Sequence, residues 1–143
     1  MKKLLMGLMA VSMLMAACNQ TKTTQTAVAV PANAADAPVM KFEKDMYDFG
    51  KIKQGDKVSY DFKFTNTGKS PLIITDAVAS CGCTKPEWPK EPVQPGANGI
   101  IKVVFNSAGK SGLQDKMITI TGNTVPTQSM VHLTGEVLVT PVK

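Results

Sequence analysis

From Met40 onward, apolar and polar residues alternate in short runs divided by turn residues. The clearest run is Val58-Ser59-Tyr60-Asp61-Phe62-Lys63-Phe64-Thr65, apolar at even positions and polar at odd ones. A period of two turns one face of a strand inward and the other toward water. Asn66-Thr67-Gly68-Lys69 then ends the strand with residues suited to positive φ and tight turns. The pattern predicts the next strand over residues 72–80. Pro86, Pro89, Pro92 and Pro95, followed by Gly96, predict an irregular stretch after it, because proline donates nothing to a ladder. Strands resume with Ile101, Val103 and Phe105 on one face and Lys102 and Asn106 on the other. Residues 116–121 and 130–138 form a final pair, in which Val131, Leu133 and Val137 alternate with His132, Thr134 and Glu136. A turn near Val125 pairs His132 with Thr119, Met130 with Thr121 and Met117 with Thr134, all outward. Short runs at Lys41-Phe42-Glu43 and Phe49-Gly50-Lys51-Ile52 bring the count to about seven strands, with no helical periodicity. The expected fold is all-β: an immunoglobulin-like antiparallel β-sandwich over residues 40–143. No long, even-numbered series of hairpins points to a barrel.

Ahead of this domain the pattern changes twice. Lys2 and Lys3 precede an apolar run, residues 4–15, and the small residues Ala16 and Ala17 stand before Cys18. That is the layout of a secretory signal, residues 1–17, and it falls short of the roughly 20 apolar residues that cross a membrane. Leu14-Met15-Ala16-Ala17-Cys18 resembles the bacterial lipobox, with Met15 in place of the commoner leucine. The resemblance implies acylation of Cys18 and cleavage before it; the plainer alternative is a secretory signal with an incidental cysteine. Several acyl chains, palmitate among them, anchor far more firmly than the single chain that binds membranes only marginally. Asn19 is not the aspartate that retains lipoproteins at the inner membrane, and no acidic cluster follows Cys18. The expected address is the outer membrane, facing the periplasm. Residues 18–39 are rich in Thr, Gln, Ala, Val, Asn and Pro, bury too little to offset ordering entropy, and read as a flexible tether.

Removing Lys2 and Lys3 takes the lysines from 16 to 14 against 11 acids, and the formal charge from +5 to +3. The chain has no arginine and its lysines are scattered, which argues against nucleic acid, where bidentate arginine contacts dominate. The modest positive charge reads as a solubilising surface.

Tyr47-Asp48-Phe49-Gly50-Lys51-Ile52, Asn66-Thr67-Gly68, Pro71-Leu72-Ile73-Ile74, Ser80-Cys81-Gly82-Cys83-Thr84, Pro95-Gly96 and Gly135-Glu136-Val137 occur in that order. Together they resemble the bacterial domain of unknown function 1573, related to the immunoglobulin-like domains of the hydin and sperm-flagellar group. The resemblance implies that fold and frequent attachment to lipoprotein signals. It implies no activity.

Cys81 and Cys83 are the remaining chemistry. In an oxidising compartment two nearby cysteines first suggest a disulfide. Residues two apart on an extended strand lie near the upper limit for bridging, and Gly82 relieves this by allowing a sharp bend. So short a ring closes almost no loop, adds little stability through chain entropy, and tends to be labile. Four readings stay open: a local bridge without turnover, a binding surface with Trp88 between Pro86 and Pro89 as its anchor, a soft-metal site, and thiol–disulfide exchange. Two thiolates suit Cu(I), with His132, the only histidine, and the thioethers of Met117 and Met130 as further donors. Structural zinc needs four ligands where only Cys81, Cys83 and His132 offer themselves. Exchange enzymes place a cysteine at a helix N-terminus, and Pro86 and Pro89 forbid a helix here. No Ser/His/Asp set, carboxylate pair or phosphate loop is present, so the expectation is a non-catalytic binding or scaffolding module, without a required cofactor, that meets a protein partner. Replacing Cys18 with serine is expected to move the protein from the membrane to the soluble fraction on fractionation; retention would refute the lipid anchor.

Overall fold

A computed structural model describes residues 34–139. The signal segment, Cys18 and most of the tether lie outside the described residues. Eight strands follow a short 3-10 turn at Ala34–Asp36: β1 (Met40–Phe42), β2 (Met46–Lys53), β3 (Lys57–Asn66), β4 (Ile74–Ala79), β5 (Thr84–Glu87), β6 (Asn98–Asn106), β7 (Gly112–Gly122) and β8 (Gln128–Leu138). They make two four-stranded sheets, ordered β1-β3-β6-β5 and β2-β8-β7-β4. This is the immunoglobulin-like sandwich that the alternation predicts; β1-β3-β6-β5 and β8-β7-β4 follow its constant-type order, and β2 is added beside β8. The chain switches sheets between β1 and β2, so that β2 runs parallel to β8 while every other pair is antiparallel. Among the described residues no helix is long and apolar enough to cross a membrane.

The inward faces follow the period of two. Phe62 and Phe64 of β3, Ile101, Val103 and Phe105 of β6, Ile118 and Ile120 of β7, and Val131, Leu133 and Val137 of β8 are buried together. Each such side chain contributes about 1.5–3 kcal/mol relative to an exposed one. Tyr47 stacks on Tyr60 at 3.8 Å between ring centroids, closing the seam between β2 and β3 across the two sheets.

Three local expectations are corrected. The strand expected over residues 72–80 begins only at Ile74; Leu72 instead exchanges both backbone hydrogen bonds with Val93, at 2.9 and 2.8 Å, and pins the proline-rich loop. The stretch expected to be irregular contains β5, with Pro86 opposite Val103. Strand β5 is at a sheet edge and pairs on one side only, so a residue without an N–H fits there. The last hairpin turns one residue earlier than expected. Gly122 N donates to Thr127 O, the Thr124 hydroxyl donates to Pro126 O, and the last pair is Thr121 with Gln128. Met117 therefore faces His132, and Thr119 faces Met130.

The turn reading of Asn66-Thr67-Gly68 also changes. Asn66 is fully buried. Its Oδ1 accepts from Val39 N and Gly68 N, and its Nδ2 donates to Ser70 O and Val93 O. Its backbone N donates to Ala97 O, and its O accepts from Gly96 N. Gly68 is needed for space rather than for a left-handed backbone, because a Cβ there would collide with the backbone of Ala37 and Pro38. Ala37 is buried, so the domain's contacts begin a few residues before Met40. Asn66→Ala leaves Val39 N, Gly68 N and Ser70 O without this side-chain partner and removes one of the two bonds to Val93 O, which keeps Leu72 N. A loss of about 3–5 kcal/mol in denaturant unfolding is expected, and a loss under 1 kcal/mol would refute this role.

Candidate functional site

The Ser80–Thr84 segment joins β4, an edge of one sheet, to β5, an edge of the other. Ser80 N donates to Met117 O on β7, and Asn106 N of β6 donates to Cys83 O. Thr84 N donates back to Cys81 O, making a tight turn. The segment is thus a clasp tied to both sheets. Cys81 and Cys83 are joined in a disulfide, with Cα atoms 5.3 Å apart. The buried Thr84 hydroxyl lies 3.7 Å from one sulfur and 3.8 Å from the other. The turn brings the Cα atoms into bridging range, where an extended strand would hold them near its limit. Gly82 is not what allows this: its φ is outside the left-handed region and a Cβ would meet nothing within 4 Å.

Beside the clasp lies a groove of about 390 Å³, lined by Lys57, Lys85 and Lys110 together with Gly82, Cys83 and Asn106. No acid lines it. The three lysines come from β3, β5 and the β6–β7 loop, so nothing in their sequence spacing marks the cluster. Lys116, on the inward face of β7, holds its ammonium 5.4 Å from the centre of the Phe105 ring. Burial, with the Lys110 charge added, pushes Lys116 below the usual lysine range, and Asp115 opposes the shift. A larger depression of about 550 Å³, between Glu43, Lys44, Asp61, Lys63 and Lys102, mixes both signs of charge and holds no cysteine.

The other sequence candidates lie elsewhere. Trp88 packs against the core, with the Lys90 ammonium 3.2 Å from its ring centre, so its face is already covered by a cation from its own chain. His132 is on the outer face of the β2-β8-β7-β4 sheet, and its Nδ1 lies 2.9 Å from Asp115 Oδ1. Cys81, Cys83 and His132 do not form one metal site: both sulfurs are committed to the bridge, and among the described residues no three His, Cys, Asp or Glu side chains are grouped to hold an ion. Since Gly82 occupies open space, Gly82→Ala is expected to keep the disulfide by mass spectrometry and to change stability by less than about 1 kcal/mol. A free-thiol product would restore the glycine's role.

Several solved structures share the fold. A protein of unknown function from Porphyromonas gingivalis W83 is 16% identical, with a TM-score of 0.64, covering 74% of this chain and 50% of its own. The ASH/PapD-like domain 7 of human CEP192 is 8% identical, with a TM-score of 0.57, covering 78% of this chain and 93% of that domain. The secreted serine protease VesC of Vibrio cholerae is 12% identical, with a TM-score of 0.55, covering 69% of this chain and 23% of the protease. The chain thus spans half of the first protein and about a quarter of the protease. At these identities the likeness is one of fold. No curated protein matches the sequence. The family described as protein of unknown function, DUF1573, matches residues 40–137, most of the chain, and the protein belongs to that family.

Proposed function

We propose that this protein is a lipid-anchored, periplasm-facing immunoglobulin-like module that holds a protein partner and catalyses nothing itself. The observation that carries the reading is the single-signed groove: Lys57, Lys85 and Lys110 converge beside a clasp that both sheets hold still. A rigid, positively charged recess favours an acidic segment of a partner, through complementarity that steers encounter and sets orientation. The anchor at Cys18 and the tether behind it confine that encounter to the membrane surface, where a modest affinity is raised by local concentration.

A second reading has one observation in its favour. Cys83 lines the same groove as the three lysines, and nearby ammonium groups stabilise the thiolate that reduction of the bridge releases. In that reading the groove serves thiol–disulfide exchange with a partner.

A photo-crosslinker at position 108, in the groove, is expected to give one discrete adduct in cells. Lys57→Glu, Lys85→Glu and Lys110→Glu together should weaken it about tenfold with the melting temperature unchanged. An adduct that survives the charge reversal, or none at all, defeats the binding reading. An adduct lost in Cys81→Ser/Cys83→Ser but kept on charge reversal transfers the role to the thiols.

A further inference from the structure

Only four methionines follow residue 17, namely Met40, Met46, Met117 and Met130, and His132 is the chain's single histidine. Met40 packs against the core. The other three lie on the outer face of the β2-β8-β7-β4 sheet, around that histidine. Register puts Met46 of β2 and Met117 of β7 on either side of His132 in one row across three strands. Met130 precedes His132 by two residues on β8, so it stands on the same face in the next row. Met46, Met117 and Met130 are 55%, 39% and 54% exposed, although thioether side chains gain nothing by facing water. Facing neighbours on adjacent strands have Cβ atoms about 4.5–5.5 Å apart, same-face neighbours along a strand about 6.5–7 Å, and Met46 and Met117 flank His132 from roughly 10 Å apart. Flexible, unbranched methionine side chains reach a common point above such a row.

The histidine is prepared for a ligand. Asp115 stands one same-face position from Met117 on β7, and its Oδ1 is 2.9 Å from His132 Nδ1. In the tautomer that donates Nδ1–H to this carboxylate, Nε2 keeps its lone pair for a ligand, the arrangement that orients most metal-binding imidazoles. Among the described residues the His132 ring has no other hydrogen-bond partner.

We propose that Met46, Met117, Met130 and His132 form a surface site for a soft monovalent metal ion, Cu(I), with Asp115 as a positioning residue. The donor set selects the ion: neutral thioethers bind hard cations poorly, and three of them with one imidazole suit Cu(I) rather than Zn(II) or Ca(II). Binding needs no electron transfer and does not involve the Cys81–Cys83 sulfurs, which the disulfide occupies. The site is on the sheet opposite the three-lysine groove's strands β3, β5 and β6, so it stands or falls independently of the partner reading.

The test uses the chain from residue 18 carrying Cys18→Ser, with the disulfide intact, titrated against Cu(I) held by the chromophoric competitor bicinchoninate. One Cu(I) per chain is expected. His132→Gln, and Met46→Leu/Met117→Leu/Met130→Leu together, should each weaken binding more than about tenfold, and Asp115→Asn by about tenfold. The leucine replacements are on the surface and conserve volume, so the fold should be kept, as an unchanged melting temperature will verify. In the nuclear magnetic resonance spectrum, Ag(I) should shift the methyl signals of Met46, Met117 and Met130 and leave that of Met40. Absence of binding, Cu(I) retained by the triple leucine chain, or binding seen only after the disulfide is reduced would each overturn the proposal.

Discussion

One buried amide organises the closed end of this sandwich. Asn66 ends β3, and through four side-chain hydrogen bonds and both backbone groups it joins the segment before β1, the β3–β4 loop and the proline-rich loop. Only an asparagine offers two donors and an acceptor with two lone pairs in so little volume. A hydrophobic residue would fill the space and leave Val39 N, Gly68 N and Ser70 O without that partner. Phe62 and Phe64, next to it on β3, are shut away from water. At the other end of β3, Lys57 lines the groove that Lys85 and Lys110 also line. The domain is therefore asymmetric along its strands, closed by an amide at one end and bordered by cations at the other.

That asymmetry positions the cysteines. The clasp at Ser80–Thr84 crosses between sheets at the cation-rich end, held by Met117 O on one side and Asn106 N on the other. These hydrogen bonds hold the turn alongside the disulfide. A link of two residues adds little chain-entropy stabilisation, and its chemical meaning comes from its surroundings. Those surroundings are three lysines from three separate parts of the chain, which looked like ordinary solubilising charge when met one at a time.

The last hairpin shows why side and neighbour are separate questions. Side-chain direction repeats every two residues, so moving the turn by one residue shifts each pairing by two and leaves every residue on its own face. His132, Met117 and Met130 were outward in either register. Their neighbours were not preserved: His132 gained Met117 in place of Thr119. The parallel pairing of β2 with β8 then added Met46 on the far side. Residues 84–87 show the same division, since Pro86 correctly forbade a central strand but could not reveal that a sheet edge was on offer.

The alternation by itself determined the two-faced strands, the identity of the buried residues on β3, β6 and β8, and the sandwich, because burial of one face is a local consequence of a period of two. The nearness of Cys81 to Cys83 was legible for the same reason, being a matter of two covalent steps. Tertiary structure alone decided that Asn66 is a hub and not a turn residue, that Lys57, Lys85 and Lys110 share a groove, and that three methionines surround the one histidine. Each of those depends on which strands lie side by side and in what register, and that is settled by loop hydrogen bonds and by the switch of β1 and β2 between sheets, not by the pattern within any one strand.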